Sequence, residues 1–361
     1  MTSSSPCSDT YTLARRLGVE SLVLNAPVPG AVTPELVAAV CEAGGLGVVP
    51  GGTMSAQALG DFIEAVRGLT GKPFAVALSV PPVKTYPLPA LQARQWAVRF
   101  VELFGAVTAL DEGVTLMEIG RYDPEPAFEQ RFAVVTAARP AAFISTFAGL
   151  REQHAEALKA AGTVYLAGVT SLREAKVMRA AGADGLIVQG AEAGGLHWAF
   201  EDRGVEAGLL GLIPHVVRAT ELPVIAAGGI VLPEQAAACR VLGAQGVMAG
   251  TAFLPVAESA ADGFRLFGAL QTGPSDYRRA YTGSQRASVY PNALGMVLIR
   301  HGEVLRDAPP GLFEHLLSKI DDAATRSQAG NEVLLSVGQA AGRLPYGRAA
   351  DVVRALAGGL K

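Results

Sequence analysis

Eight short and almost wholly apolar segments alternate with helical segments along most of this chain of 361 residues. Buried strands joined by amphipathic helices indicate parallel pairing, because the crossover helices cover both faces of the sheet. Three joints between a helix and the next strand, AGGLGVV, AGADGLI and LGAQGVM, resemble one another as a weak internal repeat. Eight such units predict an α/β fold of the (β/α)8 TIM-barrel type. The predicted strands are 21–25, 46–50, 74–78, 142–147, 163–169, 185–190, 223–228 and 246–250.

A doubly wound open sheet is the alternative α/β fold. Such a sheet binds dinucleotides at a GxGxxG turn after its first strand. Here the first predicted strand is followed by NAPVPG instead. The missing fingerprint favours the barrel.

The regular alternation is weaker in two parts of the chain. Before the fourth strand, the apolar segment VTLMEI is interpreted as an elaboration of the connection. After Phe253 the sequence predicts short helical pieces, a hairpin through MVLIRHGEVL and a helix from about residue 312 to 324. We therefore expect four parts: a disordered N-terminus (1–12), the barrel (13–260), a smaller, mainly helical lid or substrate domain inserted after strand 8 (261–335), and a C-terminal segment that returns to the barrel (336–361).

Composition and charge argue against several classes of protein. Half of the residues are hydrophobic, 17% are charged and the formal net charge is -3. These values indicate a globular protein, with neither nucleic acid nor a membrane surface as its partner. No apolar run reaches the roughly 18 residues of a spanning helix, and no basic segment leads into an apolar one at the N-terminus. We therefore expect a soluble, cytoplasmic protein.

No metal site is predicted. The three cysteines form no CxxC pair, so they indicate neither a disulfide framework nor a zinc site, and Cys41 and Cys239 are interpreted as small buried hydrophobes. Four histidines have no partner at the spacing of metal ligands and are expected on the surface: His154, His215, His301 and His315. Several lid side chains could contact substrate, although a solvated face is the commoner outcome: Tyr277, Tyr281, Tyr290, Arg278, Arg279 and Arg286.

Glycines follow each of the last three predicted strands. The sixth strand opens into QGAEAGGLHW, the seventh ends at Gly228-Gly229 and the eighth at Gly250-Thr251. Active sites of (β/α)8 barrels lie at the C-terminal ends of the strands, where the loops after strands 7 and 8 often bind phosphate. Backbone amides of both loops, with the Thr251 hydroxyl, could hold a phosphate dianion without a lysine. The alternative is that these glycines serve only tight packing.

Six motifs follow one another along the chain: LNAPV, ELVAAVCEAGGLGVVPGG, QGAEAGG, VIAAGGI, GAQGVMAGTAFL and GQAAG. Taken in this order, they resemble the nitronate monooxygenase family, also called 2-nitropropane dioxygenase-like proteins. That group includes FMN-dependent enoyl-ACP reductases and NADH:quinone reductases. The resemblance covers roughly residues 17–80 and 140–260 and is weak in the lid. It implies the TIM barrel and a noncovalently bound FMN.

The resemblance also implies roles for individual residues. The FMN phosphate would bind at four positions, with help from the Gly194-Gly195 loop: Gly228, Gly229, Gly250 and Thr251. The flavin ring would lie against Asn25, Ala26 and Pro27, and Gln189 would contact the ring or the ribityl chain. For Gln189 and Asn25 the alternative is a strand-end amide that only caps a turn.

The sequence departs from the family at two positions. Family members of known activity carry a histidine directly after the glycine pair, whereas the order here is Gly194, Gly195, Leu196, His197. A shift of the loop by one residue could bring His197 into the catalytic position, since glycines are permissive. The alternative is that His197 is an ordinary loop histidine without a catalytic role. The second departure is Ala77, where the family has an asparagine that faces the flavin.

The function that the resemblance implies is an FMN-dependent oxidoreductase that oxidises alkyl nitronates, a small-molecule substrate, with dioxygen. A nitronate is already a carbanion-like anion and needs no base, which suits the missing histidine. One alternative keeps FMN but uses NAD(P)H to reduce an enoyl thioester or a quinone. Others are a non-redox barrel enzyme acting on a phosphorylated metabolite and a flavin-binding protein with little catalysis. The oligomeric state stays open, with a homodimer as one alternative.

Overall fold

Eight parallel strands form a barrel with its helices outside, which confirms the predicted TIM-barrel fold. The computed structural model describes residues 10–81, 88–105, 111–121, 123–200, 206–261, 278–282, 285–289, 291, 293–308, 312, 315–316, 337–340, 342 and 345–361. The first nine strands are β1 (Val23–Asn25), β2 (Gly47–Pro50), β3 (Phe74–Ser79), β4 (Ala142–Thr146), β5 (Val164–Val169), β6 (Gly185–Gln189), β7 (Gly195–Leu196), β8 (Val224–Ala227) and β9 (Gly246–Ala249). All except β7 belong to the barrel, in the order β1-β9-β8-β6-β5-β4-β3-β2.

The barrel closes between β1 and β2 through one side chain and a short bridge. Leu24 pairs with Leu46 in an isolated parallel bridge. The Asn25 amide then bonds the backbone of Val48 twice: Nδ2 donates to the Val48 carbonyl at 3.0 Å, and Oδ1 accepts from the Val48 amide at 2.8 Å. Asn25 is fully buried. Its side chain therefore takes the place of ladder hydrogen bonds at this seam.

We expect Asn25→Ala to lower the free energy of unfolding by about 2–4 kcal/mol, because the variant leaves the buried Val48 amide and carbonyl unpaired. Denaturant unfolding followed by circular dichroism measures this. The control is Gln57→Ala, since the Gln57 amide bonds Asp61 at the exposed surface and its loss is expected to change stability by less than about 0.5 kcal/mol. Equal stabilities of the two variants would show that the seam does not depend on Asn25.

Helices cover the outside of the barrel, and their caps follow the sequence signals. The first ten are α1 (Thr10–Leu17), α2 (Pro34–Glu42), α3 (Ala56–Leu69), α4 (Ala90–Phe104), α5 (Glu112–Arg121), α6 (Pro124–Ala138), α7 (Glu152–Ala161), α8 (Leu172–Ala180), α9 (Leu209–Thr220) and α10 (Pro233–Val241). Thr33 and Ser171 cap α2 and α8 by accepting from the amides of Leu36 and Glu174. A last helix, Ala349–Gly359, packs against α10 and α2.

Two layers of apolar side chains make the barrel core. One fills the interior, with Leu24, Ile144 and Ile187 among its members, and the other lies between sheet and helices. α1 contributes Leu13 and Leu17 to the interior cluster; it begins at Thr10, inside the segment expected to be disordered, while residues 1–9 lie outside the described residues. Cys41 and Cys239 are buried hydrophobes as predicted, and burial raises the pKa of both thiols to about 11.

A second hydrophobic core includes residues of the segment predicted as the lid, and the name lid is kept for this part below. The antiparallel strands β10 (Arg278–Thr282) and β11 (Gln285–Val289) form a hairpin, and β11 also pairs with β7. Side chains of this sheet share a buried cluster with α4 and α5, which precede β4 in the chain. The predicted elaboration before the fourth strand thus contributes helices to the lid, and VTLMEI lies within α5.

The prediction of a hairpin through MVLIRHGEVL is wrong. That segment forms the helix Ala293–His301 and the 3₁₀ turn Gly302–Leu305. Leu294 and Leu298, one helical turn apart, are both buried in the lid cluster, so helical rather than strand periodicity fits this apolar run. Most of the helix predicted over 312–324 lies outside the described residues. Within the described part of the chain, none of the helices is long and apolar enough to span a membrane.

Candidate active site

A cavity of about 860 Å³ lies at the C-terminal ends of the barrel strands and reaches the lid. Its volume falls in the range of cofactor and ligand sites. Glycines of three loops line its barrel side, and Arg306, Asp307 and His315 line it from the lid segment. The sequence placed the candidate site at this end of the strands, and the structure brings most of the predicted residues together there.

The Gly228-Gly229 pair after β8 has a backbone that only glycine adopts easily. The φ angles are +117° and +63°, both in the left-handed region. A Cβ on Gly228 would lie 2.9 Å from the amide nitrogen of Ala193, and one on Gly229 would lie 2.8 Å from Cβ of Glu192. Among the described residues, neither glycine amide donates a hydrogen bond to another group of the chain. Both are therefore available to an anion in the cavity.

The loop after β9 provides a second pair of amides. Gly250 and Thr251 line the cavity, and their amides also donate no hydrogen bond within the described part of the chain. A Cβ on Gly250 would meet only Ala26 and Val28, at 3.4 and 3.8 Å. The Thr251 hydroxyl accepts from the Gly338 amide at 2.9 Å, which leaves its own hydrogen to donate. Gly338, in the late GQAAG motif, lines the cavity as well and was not among the predicted site residues.

The Gly194-Gly195 loop is held in place by the C-terminal segment and by α9. A Cβ on Gly194 would lie 2.2 Å from the Val337 carbonyl carbon, so only glycine allows this approach. The Glu192 carboxylate accepts from the Leu209 amide at the start of α9, at 2.9 and 3.2 Å. The Glu192 carbonyl accepts from the Gln339 amide at 3.0 Å. The loop therefore keeps its position against the cavity.

The segment predicted to face the flavin ring divides into two parts. Ala26 and Pro27 line the cavity, and the Ala26 amide donates to the Ala249 carbonyl at 2.7 Å. The Asn25 side chain is occupied at the seam with Val48 and does not line the cavity among the described residues. Asn25 therefore positions its neighbours through the backbone.

Gln189 lines the cavity and also fixes the loop that follows it. Its Nε2 donates to the Leu196 carbonyl at 3.2 Å, and its Oε1 accepts from the Trp198 amide at 2.7 Å. The side chain is 4% exposed. These contacts match the alternative of a strand-end amide that organises a turn, and contact with a flavin stays a prediction.

Leu196, not His197, faces the cavity. Leu196 pairs with Ala287 of β11 and lines the cavity, and successive side chains of a strand point to opposite sides. His197 is 3% exposed, its Nδ1 lies 4.0 Å from Glu206 Oε1, and Glu206 Oε2 accepts from Arg279 Nε at 2.7 Å. Arg279 thus takes part in a partly buried ion pair, not a solvated basic face. A catalytic role of His197 stays a prediction.

The lid contributes to the cavity a histidine that was not among the predicted site residues. The expectation of an isolated surface position is wrong for two of the four histidines. His154 is 5% exposed, and its Nε2 lies 3.0 Å from Glu129 Oε1. His315 lines the cavity, its side chain is 25% exposed, and its Nε2 lies 3.3 Å from Glu118 Oε2. The two residues come from distant parts of the chain, so no local spacing could reveal the pair. Ala77, the second departure from the family pattern, also lines the cavity. In the described part of the chain, no group of three or more metal-ligating side chains is present.

Comparisons with known proteins agree with this geometry. A family model described as nitronate monooxygenase matches residues 12–357. The nitronate monooxygenase of Paraburkholderia phytofirmans is 37% identical over 257 residues, which cover 69% of this chain and 68% of that protein. A probable nitronate monooxygenase of Staphylococcus aureus strain Newman is 32% identical over 250 residues, or 68% of each chain.

Solved structures give the same result for the fold. A nitroalkane oxidase from Streptomyces ansochromogenes has 30% sequence identity and a TM-score of 0.79, with 97% of each chain covered. FabK from Thermotoga maritima has 24% identity and a TM-score of 0.72, with 97% of this chain and 95% of FabK covered; this likeness shows the fold alone. The fold and its cavity define a TIM-barrel enzyme. The chain belongs to the nitronate monooxygenase family, and it is an FMN-dependent oxidoreductase.

The residues of the cavity fit FMN. Four backbone amides after β8 and β9 have no acceptor among the described residues, and a phosphate dianion would supply acceptors for them. Gly250 has no side chain beside these amides, and a Cβ there would already contact Ala26 at 3.4 Å. The apolar side chains of Phe147, Leu196 and Trp198 line the same cavity, as a flat ring system requires.

Proposed function

We propose that this enzyme oxidises alkyl nitronates with dioxygen. The observation that carries the proposal is that one cavity is lined by the glycine loops with their four amides on the barrel side and by two arginines, Arg131 and Arg306. A nitronate is an anion, so these side chains would attract and orient it. Its carbon already carries the electron pair that oxidation removes. The reaction therefore needs no base at the position that Leu196 occupies.

In this proposal the predicted site residues have distinct roles. The phosphate of FMN is bound by Gly228, Gly229, Gly250 and Thr251, with the Gly194-Gly195 loop beside it. The ring lies against Ala26 and Pro27. Support for these roles comes from the free amides and from the position of both segments at the cavity.

The other residues of the cavity would bind and orient the nitronate and would exclude water from it. When bound, FMN supplies the two-electron acceptor that passes electrons to dioxygen. The apolar side chains of Phe147, Trp198 and Phe200 line the cavity and would keep bulk water from the bound nitronate. Gln189 would hold Leu196 and Trp198 in this arrangement through its two hydrogen bonds. A contribution of His197 to catalysis stays a prediction from the sequence, which an alanine variant tests below.

The test is an anaerobic visible spectrum of the purified protein during addition of an alkyl nitronate. We expect the flavin absorption band to bleach and to return when air is admitted. A yellow protein that ignores nitronate but bleaches with NADH or NADPH would contradict the proposal and support the reductase alternative. A role for NAD(P)H, a homodimer and a cytoplasmic location remain predictions from the sequence.

A further inference from the structure

His315 is the histidine that the fold brings to the cavity. The chain has five histidines, and all five lie in the described part. His154 pairs with Glu129 outside the cavity lining, and His215 and His301 are exposed. His197 is buried near Glu206 and does not line the cavity. A histidine base for the cavity must therefore come from the lid or be absent.

The His315 imidazole is held in place from two directions. Its neighbours Leu312 and Leu316 are 1% and 0% exposed and belong to the lid core, so the backbone that carries the ring is anchored. Its Nε2 lies 3.3 Å from Glu118 Oε2. The side chain of Glu118 is 12% exposed. The next residue, Ile119, is buried in the same core. Both members of the pair are thus next to residues that are buried in the lid core.

This arrangement is suited to receiving a proton inside a shielded site. A histidine beside a carboxylate accepts a proton with little reorganisation, because the carboxylate stabilises the imidazolium that forms. Other charged side chains line the same cavity: Asp123 and Arg131 from the start and middle of α6, and Arg306 and Asp307 after the 3₁₀ turn. The two arginines would stabilise the negative charge that develops on a substrate when it loses a proton.

We propose that His315 is the general base that converts a neutral nitroalkane into its nitronate in this cavity, with Glu118 as its positioning residue. The C–H bond at the carbon next to the nitro group breaks, its electron pair forms the C=N bond of the nitronate, and the π pair of the N=O bond moves onto that oxygen. The proton passes to the imidazole ring of His315. No oxidant is needed for this step. The inference rests on the proposed function, since the product is the substrate that the enzyme then oxidises.

The experiment compares two substrates, the neutral nitroalkane and the preformed nitronate, with the FMN-loaded enzyme. We expect His315→Ala to lower kcat/KM for the nitroalkane by roughly 10²- to 10⁴-fold, the range of general base catalysis. Turnover of the preformed nitronate is expected to change by less than about threefold, because it bypasses the proton transfer. Added imidazole should restore part of the nitroalkane activity. Glu118→Gln should show the same split between substrates with a smaller loss, roughly tenfold.

A second readout does not depend on oxidation. With the flavin kept reduced under anaerobic conditions in D₂O, proton NMR follows exchange of the nitroalkane hydrogens next to the nitro group. The wild type is expected to speed this exchange, and His315→Ala to abolish the effect. Flavin absorbance and thermal unfolding of each variant report whether it is folded and loaded.

Two further variants serve as controls. His154→Ala removes a histidine that also pairs with a glutamate, His154 Nε2 to Glu129 Oε1 at 3.0 Å, and should leave the ratio between the two substrates unchanged. His197→Ala tests the competing base. The inference is overturned if only His197→Ala removes exchange, if His315→Ala slows both substrates equally, or if the wild type does not exchange the nitroalkane. A wild type that fails on preformed nitronate would contradict the proposed function instead.

Discussion

Gly250→Val is expected to weaken FMN binding by roughly 10²- to 10⁴-fold while the barrel stays folded. The backbone of Gly250 has φ -102°, so a side chain adds no left-handed strain. A Cβ would contact Ala26 and Val28 at 3.4 and 3.8 Å, and the valine methyl groups would add bulk beside the amides of Gly250 and Thr251. Losing two charge-assisted hydrogen bonds to phosphate costs about 3–6 kcal/mol, which corresponds to this range of affinities.

Titration of the deflavinated protein with FMN, followed by fluorescence, measures the effect. Gly250→Ala is the matched variant: its Cβ would make contacts of 3.4 and 3.8 Å, so affinity should change only a few-fold. Gly211→Ala, where a Cβ meets nothing within 4 Å, should bind FMN as the wild type does. Normal binding by Gly250→Val would place the phosphate elsewhere in the cavity.

The barrel was predictable because its signals are local. Strands buried on both faces appear as apolar runs, so the third predicted strand, 74–78, differs from Phe74–Ser79 by one residue. The lid was harder to predict. The apolar run in MVLIRHGEVL fits a strand or a helix equally well until Leu294 and Leu298 are seen in one core with α4. That core joins segments far apart in the chain, which periodicity cannot reveal.

The distinction between local signals and long-range contacts also applies to the candidate site. Gly228 and Gly229 were recognisable because a need for positive φ shows in the sequence as glycine. Which of Leu196 and His197 faces the cavity depends on pairing between β7 and β11, about 90 residues later in the chain. The pairs His315–Glu118 and Arg279–Glu206 also join distant segments. Long-range pairing therefore decides the chemistry of the cavity, whereas local signals place the cofactor loops.

Gln189→Leu is expected to lower kcat/KM for nitronate by roughly 30-fold or more with FMN still bound. The variant leaves the Leu196 carbonyl and the buried Trp198 amide without their partners. Each unpaired group costs about 1–3 kcal/mol, so the segment that carries Leu196 and pairs with β11 should leave its position. The phosphate loops after β8 and β9 do not depend on these bonds. Steady-state kinetics and flavin content measure the two effects separately.

Gln245→Leu is the matched control, because the same change occurs just before β9 at a side chain whose Oε1 has no hydrogen-bond partner among the described residues. It should leave both kinetics and flavin content unchanged. The two roles considered for Gln189 predict different results. If Gln189 held the flavin directly, Gln189→Leu would lose FMN together with activity. If it acts by fixing the loop, activity falls while FMN stays. The two hydrogen bonds to residues 196 and 198 favour the second result, since they already use both ends of the amide.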